Sequence, residues 1–231
     1  MSQLIISQEN GKANHTDYNL MMKNVCESLL KMKYKKNDAV GLRTDTDFRH
    51  EKAIENILIK HKFILRDMNV CKKDINEWII NPDNCKLSIG EFIVQPCGTQ
   101  DNPDFLVRTC YEKIIAIEAK SSKSEKPQYN SGGIHSDYLY IFCSQKINKT
   151  TLYWGRDIIT MEQQNIIDSL INDQKNLEKI ANEKLKNLDS NNRGIAYYTR
   201  PMITQKGDKS KTSYFKHHNR QICEKNVLNY F

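Results

Sequence analysis

The sequence predicts an α/β layered domain. Helical periodicity marks two segments before residue 64, short apolar or alternating runs follow between residues 90 and 155, and a long amphipathic stretch spans 161–188. Helices, a strand meander, a crossover, further strands and a closing helix, in that order, define the class. With 231 residues, 27.0 kDa and neither an internal repeat nor a low-complexity linker, the chain is expected to form one domain over 1–231.

Residues 19–34 put Leu20, Met21, Val25, Leu29 and Leu30 on one stripe of a helix, expected to face the core. A polar stretch then offers Asp45, Thr46 or Asp47 as the N-cap of a second helix, whose apolar face is Ile54, Ile57 and Leu58. Glu51 and Glu55 lie on the border of that face, where a carboxylate either points into a neighbouring cleft or is simply solvated. The period then shortens to that of strands over 90–96, 104–109, 113–121, 137–144 and 150–155, with turn-like residues between. The closing helix carries Ile166, Ile167, Leu170, Ile171, Leu177, Ile180 and Leu185, suited to packing on the sheet or to an oligomer contact. Trp78 and Trp154 are expected in the core.

The formal net charge of +7 favours an anionic partner, and its distribution is uneven. Between 191 and 231 eight Lys and Arg residues stand against Asp208 and Glu224, so nearly the whole surplus is in this C-terminal segment. Tyr197, Tyr198, Tyr214 and Phe215 are interleaved with those cations. A surface of that composition meets phosphates through Lys206, Lys209 and Lys211 and bases through Arg200 and Arg220; the alternative is a solvated face. His217 and His218 read as neighbours pointing apart on a helix, in surface or phosphate contacts. The seven cysteines are scattered, with no Cys-x-x-Cys pair, which predicts reduced thiols and a cytoplasmic protein. No apolar run approaches the ~20 residues that span a bilayer, so no membrane partner is expected.

The segment that carries chemistry runs from Pro103-Asp104 to Glu118-Ala119-Lys120. In Ile114-Ile115-Ala116-Ile117-Glu118-Ala119-Lys120 the even-numbered side chains share one face of a strand, so Glu118 and Lys120 stand side by side. A hairpin turning near Tyr111 pairs Asp104 with Glu118 across the ladder. Two carboxylates so placed repel, and a divalent cation converts the same arrangement into a ligand set. Phosphodiester hydrolysis needs these parts: Mg²⁺ on Asp104, Glu118 and the Ala119 carbonyl, and Lys120 to orient or deprotonate the water while screening the phosphate.

Pro103-Asp104, thirteen intervening residues and Glu118-Ala119-Lys120 resemble the signature of the PD-(D/E)XK nucleases, in particular the type II restriction endonucleases. The resemblance covers roughly residues 47–160. It implies a restriction-endonuclease-like core, a mixed central sheet flanked by helices, and Mg²⁺-dependent cleavage of double-stranded DNA leaving 5′-phosphates, with Mn²⁺ substituting. It also implies an acidic residue on the preceding helix, which maps to Glu55 with Glu51 as the alternative. Gln100 and Asn130-Ser131-Gly132-Gly133 are similar to residues that some of these enzymes carry near DNA, and a palindromic site implies a homodimer. The absence of a Gly-rich P-loop favours restriction over a repair or recombination nuclease of the same fold. A non-catalytic nucleic-acid-binding protein and an interaction protein built on the helix at 161–188 are the competing classes.

Overall fold

The computed structural model describes residues 6–34, 50–98, 101–130 and 133–231, with the backbone alone over 6–17. Asp45, Thr46 and Asp47, the expected caps of the second helix, lie outside the described residues.

In chain order the elements are α1 (Ile6–Leu30), α2 (His50–Lys60), β1 (Ile64–Leu65), α3 (Lys72–Ile80), β2 (Glu91–Val94), β3 (Phe105–Cys110), β4 (Lys113–Ser122) and β5 (Tyr129–Asn130). There follow β6 (Leu139–Ser144), β7 (Lys149–Trp154), α4 (Met161–Asn187), β8 (Met202–Ile203), α5 (Lys209–Thr212) and α6 (Arg220–Tyr230). Six strands form one mixed sheet in the order β1-β2-β3-β4-β6-β7. The β1–β2 and β4–β6 pairs are parallel, while β2–β3, β3–β4 and β6–β7 are antiparallel. The chain is therefore α/β with a mixed central sheet flanked by helices.

Both faces of the sheet are covered, and every residue of β3 is buried. On one face Phe105, Val107, Ile115 and Ile117 pack against Met22, Val25 and Leu29 of α1, Ile54 and Leu58 of α2, and Val227 of α6. On the other face Leu106, Ala116, Tyr140 and Phe142 meet Ile75 and Trp78 of α3 together with Tyr129 and Tyr214. Alternation along the strands thus feeds two cores rather than one, as expected where helices or long connections cover both sides.

Two sequence expectations are corrected. The buried stripe of α1 is Met22, Val25, Cys26 and Leu29, whereas Leu20 is 55 % exposed. Residues 22, 25, 26 and 29 follow the helical repeat, and at ~100° per residue Leu20 falls almost on the opposite side. Nor is α4 a helix laid on the sheet, for Ile171 is its one buried residue. Its inner flank is taken by the segment that follows: Asn182 bonds the Tyr197 backbone at both N–H and C=O (2.6 and 2.8 Å), and Glu178 accepts from the Thr199 N–H at 2.9 Å.

The connection from β4 to β6 contains β5, which pairs antiparallel with β8. That ribbon ties the C-terminal segment to the sheet, and a second anchor sits beside it: Ser213 donates to the buried Glu125 carboxylate at 2.9 Å. Trp78 and Trp154 are buried, and all seven cysteines are free. Among the described residues no helix is long and apolar enough to cross a membrane.

Candidate active site

The hairpin register decides where the acidic residues meet. Phe105 lies opposite Ile117 and Leu106 opposite Ala116, so one further step brings Asp104 to the level of Glu118. The backbone fixes Asp104 from two sides. Its carbonyl accepts from Gln95 N–H beyond the end of β2 at 2.7 Å, and its carboxylate Oδ2 accepts from the Ala119 N–H at 2.8 Å. Ala116 and Ile114 enter the core on the same face of β4 as Glu118, and Ala119 turns to the opposite core. Lys120 returns to the Glu118 side, with Nζ donating to Glu118 Oε1 at 2.6 Å.

The other carboxylate oxygen, Glu118 Oε2, is buried and has no hydrogen-bond partner among the described residues. A buried anionic oxygen left in that condition is costly and calls for a donor or a cation. Burial, then the charge of Glu118, pushes the Asp104 carboxyl up to about 7. The Glu118 carboxyl is raised as well, by burial, against the opposing pull of Lys120. Full ionisation of both acids is therefore unfavourable here, and a proton or a further cation beside Lys120 favours the pair.

Around it opens a polar cleft of about 290 Å³, lined by Glu51, Asp101, Asp104, Glu118, Ala119, Lys120, Ser121, Gln128, Asn130 and Arg200. Among the described residues no three His, Cys, Asp or Glu side chains form a group that could hold a metal ion by themselves. The donor set is one that suits Mg²⁺, which binds through one or two carboxylates and keeps its remaining positions for water and substrate phosphate.

Of the residues singled out from sequence, Asp104, Glu118, Ala119, Lys120, Asn130 and Arg200 come together in this cleft. Glu55 does not line it. Its carboxylate takes Lys52 Nζ at 2.6 Å one turn back on α2, and Glu51, one turn earlier on that helix, lines the cleft instead. The acid of the first turn of α2 is thus the one that reaches the cleft. Gln100 and Ser131 lie outside the described residues.

The remaining basic residues are spread over the C-terminal segment. Lys206, Lys209 and Lys211 are exposed, the last two on α5, whose N-cap is Asp208. Lys211 and Arg220 also line a separate cavity of about 220 Å³ against Tyr153 and Tyr214. Arg220 is engaged there: it pairs with Glu224 at 2.8 Å and lies 5.4 Å over the Phe215 ring. Tyr214 is buried with its hydroxyl 2.7 Å from that of Tyr129, so it serves the core, whereas Tyr197 and Tyr198 are exposed. His217 and His218 sit in a turn before α6 with stacked rings, 4.5 Å between centroids, and do not point apart on a helix.

Sequence reasoning missed Gln128, Ser121 and Asp101. Gln128 stands two residues before Asn130, which is the spacing of one strand face, and Ser121 directly follows the Glu-x-Lys motif. Asp101 is tied by a 3.0 Å ion pair to Lys72 of α3, a helix the periodicity did not reveal.

No family model matches this chain, and neither does any curated protein or solved structure.

Proposed function

We propose that this chain is a Mg²⁺-dependent endonuclease with a restriction-endonuclease-like core of the PD-(D/E)XK kind, hydrolysing phosphodiester bonds of double-stranded DNA and leaving 5′-phosphates. The observation that carries the reading is the buried pair Asp104 and Glu118, with Lys120 2.6 Å from one Glu118 oxygen and the other oxygen unpartnered among the described residues, in an open polar cleft. Asp104, Glu118 and the Ala119 carbonyl would hold the cation, with Mn²⁺ as a substitute. When bound, it supplies Lewis-acid polarisation of the scissile phosphate and lowers the pKa of a water.

The chain's own groups divide the remaining work. Lys120 carries its ammonium beside the reacting phosphate, orients the attacking water and offsets the charge that develops on the phosphoryl oxygens. The Ala119 N–H fixes the Asp104 carboxylate, which keeps the two acids in register when their mutual repulsion would splay them. Arg200, Gln128 and Asn130, which line the same cleft, offer a cation and amide donors to phosphate oxygens. Glu51 faces the pair from α2 and holds an acceptor for a water proton. Lys206, Lys209 and Lys211 add a sequence-independent attraction for the duplex.

Incubation of a sequenced plasmid with the purified protein and Mg²⁺ tests the reading. Discrete fragments that end in 5′-phosphates support a sequence-specific enzyme of the restriction type, and a smear supports a repair or recombination nuclease. Intact plasmid together with salt-dependent duplex binding leaves a non-catalytic DNA-binding protein. Near wild-type cleavage by Glu118→Ala overturns the site.

A further inference from the structure

The helix α4 has two apolar faces, and the described residues cover only one of them. The inner flank carries the buried Ile171 and the half-buried Ile167, and the strap at 197–199 is hydrogen-bonded along it. Rotated from that flank by roughly 100° at ~100° per residue, Ile166, Leu170, Leu177 and Ile180 form a second stripe that is 71, 56, 67 and 50 % exposed. Their spacing alternates by three and four residues, the repeat of a helix–helix seam. Two positions of that repeat are charged, Asp173 and Lys184, both exposed. Among the described residues neither side chain makes an ion pair or a hydrogen bond.

The order of charges along the seam selects the partner. If a second copy of α4 lay parallel, Asp173 would meet Asp173 and Lys184 would meet Lys184, two like-charge contacts. Laid antiparallel, the same copy sets each Asp173 across from the Lys184 of the other. In that register Leu177 faces Ile180 of the second copy, and Leu170 faces the exposed Asn187 at the last turn. The outer flank carries Ser169, Asn176 and Glu183, so Asn176 meets Glu183 and no like charges oppose. A single stripe is therefore self-complementary about a two-fold axis.

We propose that α4 is the surface on which two copies of this chain pair antiparallel, with the axis passing between Leu177 and Ile180. The pairing stands apart from the nuclease reading, because it needs neither DNA nor metal and is measured without them. Sedimentation equilibrium of the full chain from ~1 to ~100 μM is the test. Wild type is expected to be dimeric within that range, and a monomer throughout overturns the proposal. Leu177→Glu, on an exposed position, should yield a monomer with unchanged helix content by circular dichroism; a dimer of wild-type strength overturns it. A charge exchange fixes the direction. Asp173→Lys should weaken the dimer at least ~10-fold, since two attractions become repulsions, and adding Lys184→Asp should restore it to within ~3-fold. A dimer indifferent to Asp173→Lys is parallel, which defeats the antiparallel assignment.

Discussion

The carboxylate of Asp104 accepts a hydrogen bond from the backbone N–H of Ala119, the residue between Glu118 and Lys120, at 2.8 Å. One contact thus locks the acid at the start of β3 to the Glu-x-Lys pair near the end of β4. Asp104→Asn retains an acceptor for that bond and loses the negative charge, so the backbone geometry should persist while the cation ligand is gone. Asp104→Asn, Glu118→Gln and Lys120→Met are each expected to lower cleavage by roughly 10³-fold or more. Their binding should differ: in EDTA the two acid variants bind duplex at least as tightly as wild type, because they remove repulsion of phosphate, and Lys120→Met binds more weakly. Fluorescence anisotropy beside a gel assay reads both. Weaker metal-free binding by Asp104→Asn would show that the acid contacts DNA as an acceptor.

The same acid makes the metal-free chain sensitive to pH. Its ordinary pKa of 3.8 is raised to about 7 in the folded state, chiefly by burial. The folded chain therefore binds this proton more tightly than the unfolded chain does. The stability it contributes is fully present below pH 3.8, falls as pH rises, and is lost above about 7. His135, buried and lowered from 6.5 to about 4, acts with the opposite sign in part of that window, so wild type alone is a mixed reading. The difference between Asp104→Asn and wild type removes the His135 contribution and reads the Asp104–Glu118 pair. In EDTA the variant should gain on wild type from about pH 4 to about pH 7 and level off by pH 8, ending at least ~1 kcal/mol more stable, a rise in Tm of roughly 2–4 °C. An equal Tm for both proteins at pH 8 would mean that water reaches the pair freely.

Cation binding should reverse that penalty. At pH 8 millimolar Mg²⁺ is expected to raise the Tm of wild type, and to leave Asp104→Asn and Glu118→Gln unmoved, since any ligand held by the folded state alone stabilises it. Cleavage should accompany Mg²⁺ and Mn²⁺. Ca²⁺ should give binding with little cleavage, because its looser and longer coordination activates water poorly. Cleavage that survives excess EDTA would exclude a metal role for these acids. A Tm shift that survives both substitutions would put the cation elsewhere, for instance on Asp101.

The hairpin was legible in the sequence because two strong signals agreed. Alternation placed Glu118 and Lys120 on one face, and the turn near Tyr111 fixed the register to within the bulge between Arg108 and Cys110. The five principal strands were legible for the same reason, long apolar runs separated by turn-like residues. What stayed hidden depends on few residues or on distant pairing. Only Ile75 and Trp78 of α3 are buried, too few for a periodic signal. The β5–β8 ribbon has two residues in each strand, and sequence gives no reason for 129–130 to find 202–203. That pairing is what carries Arg200 into the cleft. The choice between Glu51 and Glu55 is likewise a matter of how α2 is aimed, which depends on the packing of Ile54 and Leu58 against the sheet.

The basic C-terminal segment divides into residues that can meet a duplex and residues already spent on the fold. Lys206, Lys209 and Lys211 are exposed, whereas Arg220 is held by Glu224 and Phe215. Replacing the three lysines by Ala should weaken binding to specific and non-specific duplex alike. If all three touch phosphate, the slope of log K against log salt becomes shallower by up to ~2.7, at ~0.9 per contact. Arg200→Ala should remove up to one contact, ~0.9 in slope, and also lower cleavage, because that side chain lines the cleft with Lys120. Arg220→Ala should leave the slope near wild type and cost stability instead, since it removes the cation paired with Glu224 and leaves that carboxylate the Thr151 hydroxyl alone. The informative measurement is one salt titration for these variants in Ca²⁺, where binding is read without turnover. An unchanged slope for the triple variant would make the segment a solvated face. The phosphate contacts would then fall to Lys123 and to Lys126, which reaches Gln205 C=O at 3.2 Å. Arg108 is excluded from that role, because its guanidinium is buried and donates to the Cys85 and Leu87 carbonyls at 3.0 and 2.6 Å.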